Sequence, residues 1–267
     1  MNLKKKLKKY TEVISIAQNE LFASPSNYIA RLFIHALRIS VFGIIYSFVF
    51  NESGITTIDG FTAVNAVWSL ALVQIIYQCS RNTFTQIKDE ILSGQIETKL
   101  NKPYSFIVFS FLDAIGQAPA KFLGFAAVTI AVLITFFGVP DFSIIQLVGF
   151  LPLFILGLIL QTLNLQLIAL SAFWIENPDP VFWITSKLTW IVNGTFVPLA
   201  ILPIAFRTVS DSFPLSAPFF MGRIFEINSI SDLGKFLLIQ LVWIMIIMFF
   251  IRIAYRKGIT KVSINGG

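Results

Sequence analysis

Charged residues are scarce in this chain of 267 residues. Asp, Glu, Lys and Arg make up 13% of the residues, whereas 56% are hydrophobic, and the mean hydropathy is +0.79. A soluble domain carries about 25% charged residues. The composition therefore excludes an ordinary soluble fold. It indicates one membrane-embedded domain and leaves no stretch of ~100 residues for a separate catalytic domain.

Cysteine and histidine each occur once, as Cys79 and His35. A single cysteine cannot form a disulfide within the chain, and neither residue has companions for a metal site. The phosphate-loop pattern G-x-x-x-x-G-K-S/T is missing, as are the H-E-x-x-H and G-x-S-x-G patterns of hydrolases. We therefore expect no enzymatic site, no metal and no cofactor in this chain.

Acidic residues are missing from the middle of the apolar segments, where ion-coupled carriers commonly place them. The energy source for any transport is therefore not visible in this chain. The net charge of +6 is explained by basic residues that face anionic lipid at one membrane surface, so we expect no nucleic-acid partner.

Long apolar runs occur in six places, and each can cross roughly 30 Å of hydrocarbon as a helix. They lie at 29–50, 61–79, 116–139, 144–173, 182–206 and 236–255. The sequence thus predicts an all-α integral membrane protein with six transmembrane helices. The six-span bundle covers 29–255, between a cytoplasmic and interfacial region at 1–28 and a cytoplasmic tail at 256–267.

The basic residues predict the orientation of this bundle. If the first span exits outward, the outer loops hold only Arg207, Arg223 and Lys235, whereas the lysine-rich run at 4–9 and most other cations lie inside. The positive-inside rule then places both termini in the cytoplasm, with the protein in the cell membrane.

Two amphipathic segments are predicted on the cytoplasmic side. Tyr10, Ile14, Ala17 and Leu21 share one helical face, which is typical of a helix lying in the membrane interface. Between spans two and three, residues 80–102 are polar, and Ser93-Gly94 resembles a helix end. This second segment is either a solvated loop helix or a docking element for a cytoplasmic partner.

Polar residues within the spans have two interpretations. Arg31, His35 and Arg38 share one face of the first span, and Gln161 and Asn164 share one face of the fourth. They either snorkel and join helices by hydrogen bonds, or face a translocation path for a polar or anionic substrate. The candidate path residues are Arg38, Gln161 and Asn164.

The chain changes character after Trp183. Several prolines follow, and a continuous helix cannot contain them without breaks. This region therefore predicts a broken, re-entrant helix after the fifth span, near the outer leaflet. Its marker residues are Gly194, Pro198, Pro203, Pro214 and Pro218.

Two stretches resemble the permease subunits of ABC type-2 exporters, in their short six-span bacterial branch. The first is ILSGQIETKLNKP at 91–103, with a Gly, then an acidic residue and Leu, then a basic residue and Pro. The second runs from Ala172-Phe-Trp174 through the proline-rich region to Pro218. With the six-span pattern and the interfacial helix, the resemblance covers nearly the whole chain. Asn101-Lys102 precedes Pro103 here, where the family has an Arg next to the Pro.

The resemblance implies a membrane-spanning permease that couples ATP hydrolysis on a separate chain to export. The working unit would contain two ATPase subunits, which bind ATP and Mg, and a second permease, either the same chain or a homologous one. The residues expected at the ATPase contact are Lys88, Asp89, Glu90, Gly94, Glu97, Leu100 and Pro103, followed by Glu176 and Asp179 as a second contact.

Two other functions remain open from the sequence. One is a secondary carrier or channel that works without ATP, against which the lack of midplane carboxylates weighs. The other is a membrane-embedded enzyme acting on lipid, for which no catalytic constellation is present. The sequence does not discriminate among drug, lipid, peptide and polysaccharide substrates.

Overall fold

The computed structural model describes residues 12, 14–18, 25–52, 54, 57–58, 61–80, 82–100, 102 and 104–265. The α-helices are α1 (Pro25–Glu52), α2 (Ala63–Ser80), α3 (Thr83–Leu92), α4 (Gln95–Leu100), α5 (Phe106–Phe136), α6 (Ile144–Ala169), α7 (Asp179–Val192), α8 (Ile204–Asp211) and α9 (Ile230–Asn265). Strands β1 (Thr57–Ile58) and β2 (Phe61–Thr62) pair as a small antiparallel hairpin. Short 3-10 helices occupy Leu170–Phe173, Leu199–Ile201 and Ala217–Glu226; the last is called the return segment below.

Five helical segments in the described residues are long and apolar enough to cross a membrane. They are Pro25–Glu52, Ala63–Leu92, Phe106–Phe136, Ile144–Phe173 and Ile230–Lys261, the second of which contains both α2 and α3. The prediction of an all-α, multi-pass membrane protein is thereby confirmed. The predicted span at 182–206 is not among these five segments. The helix in this region, α7, has only 14 residues, which is about 21 Å of helix and too short to cross the hydrocarbon.

The helix α7 ends where the sequence changes character. Asn193 follows its last residue, and Gly194 has a φ of +78°, a backbone conformation that residues with a Cβ rarely adopt. Pro198 and Pro203 then each begin a new short helix, Leu199–Ile201 and α8. The break therefore results from local backbone chemistry that no surrounding apolar sequence can override.

Helices α6 and α9 run in the same direction, which fixes the course of the chain between them. The Leu233 side chain packs over Gly149 near the start of both helices. Farther along, Gln240 Nε2 donates to the Leu153 carbonyl at 3.3 Å. The chain must consequently return from one end of the bundle to the other between 173 and 230.

Two separate pieces make this return. The first is α7, which begins beside α3, where the Phe182 and Phe84 rings stack 4.2 Å apart. The second is the return segment, which lies antiparallel to α2: Phe219 stacks on Tyr77, and Phe225 reaches Phe61 in β2. The two extremities of the bundle are called the α3 end and the hairpin end below.

Some helix boundaries differ from the predicted ones. Helix α5 begins at Phe106 rather than at 116. Asp113, which lies before the predicted apolar run, is accommodated within this helix, where it accepts a 2.6 Å hydrogen bond from Gln86 Nε2. The predicted tail at 256–267 is helical through Asn265.

The predicted interfacial helix is described in part. Residues 14–18 are helical. Ala17 is fully buried and lies against Gly116 of α5, where the absence of a side chain permits the close approach. This portion therefore packs on the bundle as well as carrying an apolar stripe. Tyr10 and Leu21 of the predicted stripe lie outside the described residues.

Candidate functional site

A cavity of about 650 Å³ opens between α1, α2, α6 and α7. Its volume lies within the range of roughly 300–1,000 Å³ that is typical of small-molecule sites. The predicted path residues Arg38, Gln161 and Asn164 all line it, although they come from two helices far apart in sequence. The structure therefore brings these three residues together in one place.

Buried amide side chains line the inner part of the cavity. Gln74 and Gln78 project from α2, and Gln161 and Asn164 from α6; each is at most 5% exposed. Asn164 Nδ2 donates to the Pro214 carbonyl at 2.9 Å, which ties α6 to the chain before the return segment. The amides thus present polar groups in an otherwise apolar interior.

Two cations line the same cavity. Arg38 Nη1 donates to Gln74 Oε1 at 3.0 Å. Lys187 Nζ lies 3.8 Å from the centre of the Trp190 ring and 5.2 Å from that of Trp183, close enough for cation–π attraction. Among the described residues that line the cavity there is no Asp or Glu, so its electrostatic character is positive.

Aromatic rings form much of the remaining wall. Trp190 and Phe196 meet edge to face at 5.7 Å, and Phe42 of α1 lies 6.1 Å from Phe196. The sequence analysis missed Lys187 and the two tryptophans of α7. Their spacing at 183, 187 and 190 places them on one helical face, and that signal could have found them.

The predicted ATPase-contact residues lie at the α3 end, some of them in intramolecular pairs. Lys88 Nζ lies 3.0 Å from Oδ1 of Asp179. Glu90 forms an ion pair with Lys99 across the turn between α3 and α4. Gly94 makes that turn with a φ of +75°.

The other predicted contact residues differ in accessibility. Asp89, Glu97 and Glu176 are exposed and available to a partner, whereas Leu100 is half-buried. Pro103 lies outside the described residues. The exposed acidic groups and the paired basic ones give this surface a mixed charge.

The α3 end is joined directly to the cavity wall. The Lys88–Asp179 pair and the Phe84–Phe182 stack both connect α3 to the first turn of α7. Further along α7, Trp183, Lys187 and Trp190 face the cavity. A displacement of α3 would therefore act on the wall of the cavity through two contacts.

The predicted re-entrant residues lie between the end of α7 and the start of the return segment, and their neighbours Thr195, Phe196 and Leu215 line the cavity. Gly194 and Pro198 lie between α7 and the first 3-10 turn, and Pro203 begins α8. The carbonyl of Pro218 sits directly against Gly157 of α6. Near the hairpin end, Arg223 forms ion pairs with Asp211 and Glu226, which hold α8 against the return segment.

These features define a multi-pass, all-α membrane protein with a largely apolar cavity that contains buried amides and two cations and lies beside the short helix α7. No family model matches the chain, and no curated protein matches its sequence. The function must therefore be argued from the site.

Proposed function

We propose that this chain is the membrane-spanning permease subunit of an ATP-driven exporter of the ABC type-2 class, located in the cell membrane. The observation that carries the proposal is the connection of the α3–α4 surface to the cavity. Lys88 and Phe84 of α3 contact the first turn of α7, and α7 forms one wall of the cavity. The resemblance of 91–103 to the cytoplasmic segment of such permeases supports the same function.

The packing of α7 suits a moving element. Only Thr189 is buried among its 14 residues, and large side chains such as Trp183 and Ile184 are more than half exposed. Moving α7 would disrupt few buried contacts. An ATPase that binds the α3–α4 surface differently in its ATP-bound state could then shift the cavity between two states.

The proposed orientation places the α3 end in the cytoplasm. Lys88, Lys99 and Arg256 lie toward this end, whereas Arg223 and Lys235 lie near the hairpin end, in agreement with the positive-inside rule. Counting the two-piece return as a crossing gives six crossings and puts both termini inside. ATP and Mg would be bound by the two ATPase subunits, not by this chain.

A second permease, the same chain or a homologous one, would cover part of the apolar surface of α1. Ile29, Phe33 and Phe48 of this helix are each more than 60% exposed. Membrane lipid would cover the remainder of this apolar surface, because exposed apolar side chains are compatible both with a helix–helix interface and with lipid hydrocarbon.

Purification of the tagged chain from gently solubilised native membranes tests the proposal. We expect a soluble ATPase subunit to co-purify in stoichiometric amount. Charge reversal at the exposed Asp89 or Glu97 should remove the ATPase, whereas the matched reversal Asp141→Lys, between α5 and α6 at the opposite end, should retain it. A stable complex that repeatedly lacks an ATPase would contradict the proposal. Ion-driven flux by the purified chain in ATP-free vesicles would then identify a secondary carrier or channel.

A further inference from the structure

The side chains that line the cavity restrict the chemical class of ligand that it can bind. It combines two cations, Arg38 and Lys187, with broad aromatic surfaces and with buried amides. No Asp or Glu is among the described residues that line it. The side chain of Lys187 is exposed and so is accessible to an anionic ligand, which would meet no repelling carboxylate among the described lining residues.

The amides have unused hydrogen-bonding capacity. Gln78 and Gln161 are each 5% exposed. Neither side chain hydrogen-bonds to any of the residues that the structure describes, although Arg38 and Asn164 beside them do. Buried amides normally find partners. Their amide groups are therefore available to an oxygen-bearing ligand in the cavity.

The tryptophans of α7 are the third feature of the cavity that bears on its ligand, after the cations and the amides. Lys187 lies over the rings of Trp190 and Trp183 and makes no ion pair with a described carboxylate. An acidic group placed at this ammonium would have indole surface on both sides. The remainder of such a ligand would contact apolar rings rather than water, because Phe42, Phe182 and Phe196 line the same cavity.

We propose that the cavity binds an amphipathic anion, in which an acidic group is joined to a flat apolar body. The acidic group lies at Lys187 and Arg38 and accepts hydrogen bonds from Gln78 and Gln161. The apolar body packs on Trp183 and Trp190. As an assignment of the exported substrate this inference rests on the proposed function, whereas binding itself requires neither ATP nor an ATPase.

A pair of fluorescent probes tests this assignment with the full-length chain in nanodiscs of zwitterionic lipid. The anionic probe is 1-anilinonaphthalene-8-sulfonate, and the neutral probe is N-phenyl-1-naphthylamine, which has the same rings without the sulfonate. Energy transfer from tryptophan reports bound probe, and empty nanodiscs measure partition into lipid. We expect saturable binding of the anionic probe.

Substitutions at Lys187 measure how much the positive charge of this side chain contributes to probe binding. Lys187→Gln should weaken binding of the anionic probe about tenfold, as expected for the loss of a charge-assisted contact, and change binding of the neutral probe less than twofold. Lys187→Arg should restore binding. The matched control Lys257→Gln, an exposed lysine of α9 toward the same end of the bundle, should leave both probes unaffected. Equal size-exclusion profiles and thermal midpoints establish that the variants are folded.

Competition against the anionic probe identifies the source of the ligand. Displacement by 2-naphthoate but not by oleate supports a soluble aromatic acid, and displacement by oleate supports a lipid-like acid. Unchanged affinity of Lys187→Gln for the anionic probe would overturn the proposal, as would an equal loss of both probes. Because these measurements use no ATPase, their failure leaves the exporter proposal standing, and loss of ATPase co-purification leaves the binding result standing.

Discussion

The ammonium group of Lys88 lies 3.0 Å from the carboxylate of Asp179, and this pair joins the amphipathic helix at the α3 end to the helix that lines the cavity. The two residues are 91 positions apart in sequence. The contact is partly exposed, with side-chain exposures of 15% and 47%. Such a pair contributes less than about 1 kcal/mol to stability, so its removal tests coupling with little effect on folding.

Exchanging the charges of this pair should therefore separate coupling from stability. We expect Lys88→Asp and Asp179→Lys each to reduce ATP-dependent transport in vesicles, because like charges would push α7 from α3. The double variant, Lys88→Asp with Asp179→Lys, should recover a substantial part of the lost transport. Thermal midpoints in detergent should change little in all three. Single exchanges with full transport, or a double exchange no better than either single one, would contradict the coupling route.

Gly157 of α6 should tolerate no side chain. A Cβ at this position would overlap the backbone carbonyl of Pro218, at the start of the return segment. We expect Gly157→Ala to destabilise the protein by about 1–3 kcal/mol, as overpacked sites do. Gly234 of α9 is the matched control, because nothing lies within 4 Å of a Cβ there. Gly234→Ala should be neutral or stabilising by up to about 1 kcal/mol. Thermal unfolding in detergent measures both, and equal midpoints would refute the close approach.

Arg223 should be the most important charged residue near the hairpin end. Its side chain is 7% exposed and pairs with Asp211 and Glu226, while its guanidinium lies 4.8 Å from the Phe236 ring centre. Arg223→Gln removes the guanidinium partner of two largely buried carboxylates and leaves Asp211 with the exposed Lys235, which should cost about 3–5 kcal/mol.

A control and a rescue accompany this substitution. Lys235 also pairs with Asp211, at 3.4 Å, but is 62% exposed, so Lys235→Gln should cost less than about 1 kcal/mol. Adding Asp211→Asn and Glu226→Gln to Arg223→Gln should recover part of the lost stability. Thermal midpoints that rank Lys235→Gln as the more damaging single change would refute the assigned role.

Cysteine labelling should report the two-piece return across the membrane. Native Cys79 is 1% exposed, so Cys79→Ala provides a background with no reactive thiol. Single cysteines at Asp141 and Ser229 should react with a membrane-impermeant maleimide in intact cells. Cysteines at Ser93 and Thr260 should react only after permeabilisation. Labelling of Ser93 and Ser229 from the same side would show that 173–230 does not cross.

Much of the helical architecture could be predicted from the sequence, because a membrane imposes a length and a composition on every crossing helix. The fourth apolar run, 144–173, coincides with an observed helical segment. The break after Gly194 was also predictable, since glycine and proline act locally. The start of α5 was not, because Asp113 is accommodated by Gln86, a partner 27 residues away.

Some residues of the candidate site could be predicted from the sequence, and others were found only in the tertiary structure. Arg38, Gln161 and Asn164 were singled out because polar residues in apolar segments require a partner or a cavity. Lys187 and Trp190 were missed, because a lysine near a predicted membrane boundary is ordinary on sequence grounds. The spacing of 183, 187 and 190 shows that these side chains share a helical face, but that this face lines the cavity follows from the proximity of α7 to α1, α2 and α6.

The sequence by itself determined that this protein is a multi-pass helical membrane protein with a broken segment after α7. These properties follow from hydropathy and from backbone restrictions of individual residues, which do not require knowledge of neighbours. Only the tertiary structure decided that α6 and α9 run parallel, that the chain returns in two pieces, and that two cations share one cavity. Those relationships depend on side-chain packing between distant segments, and no periodicity within a single segment contains that information.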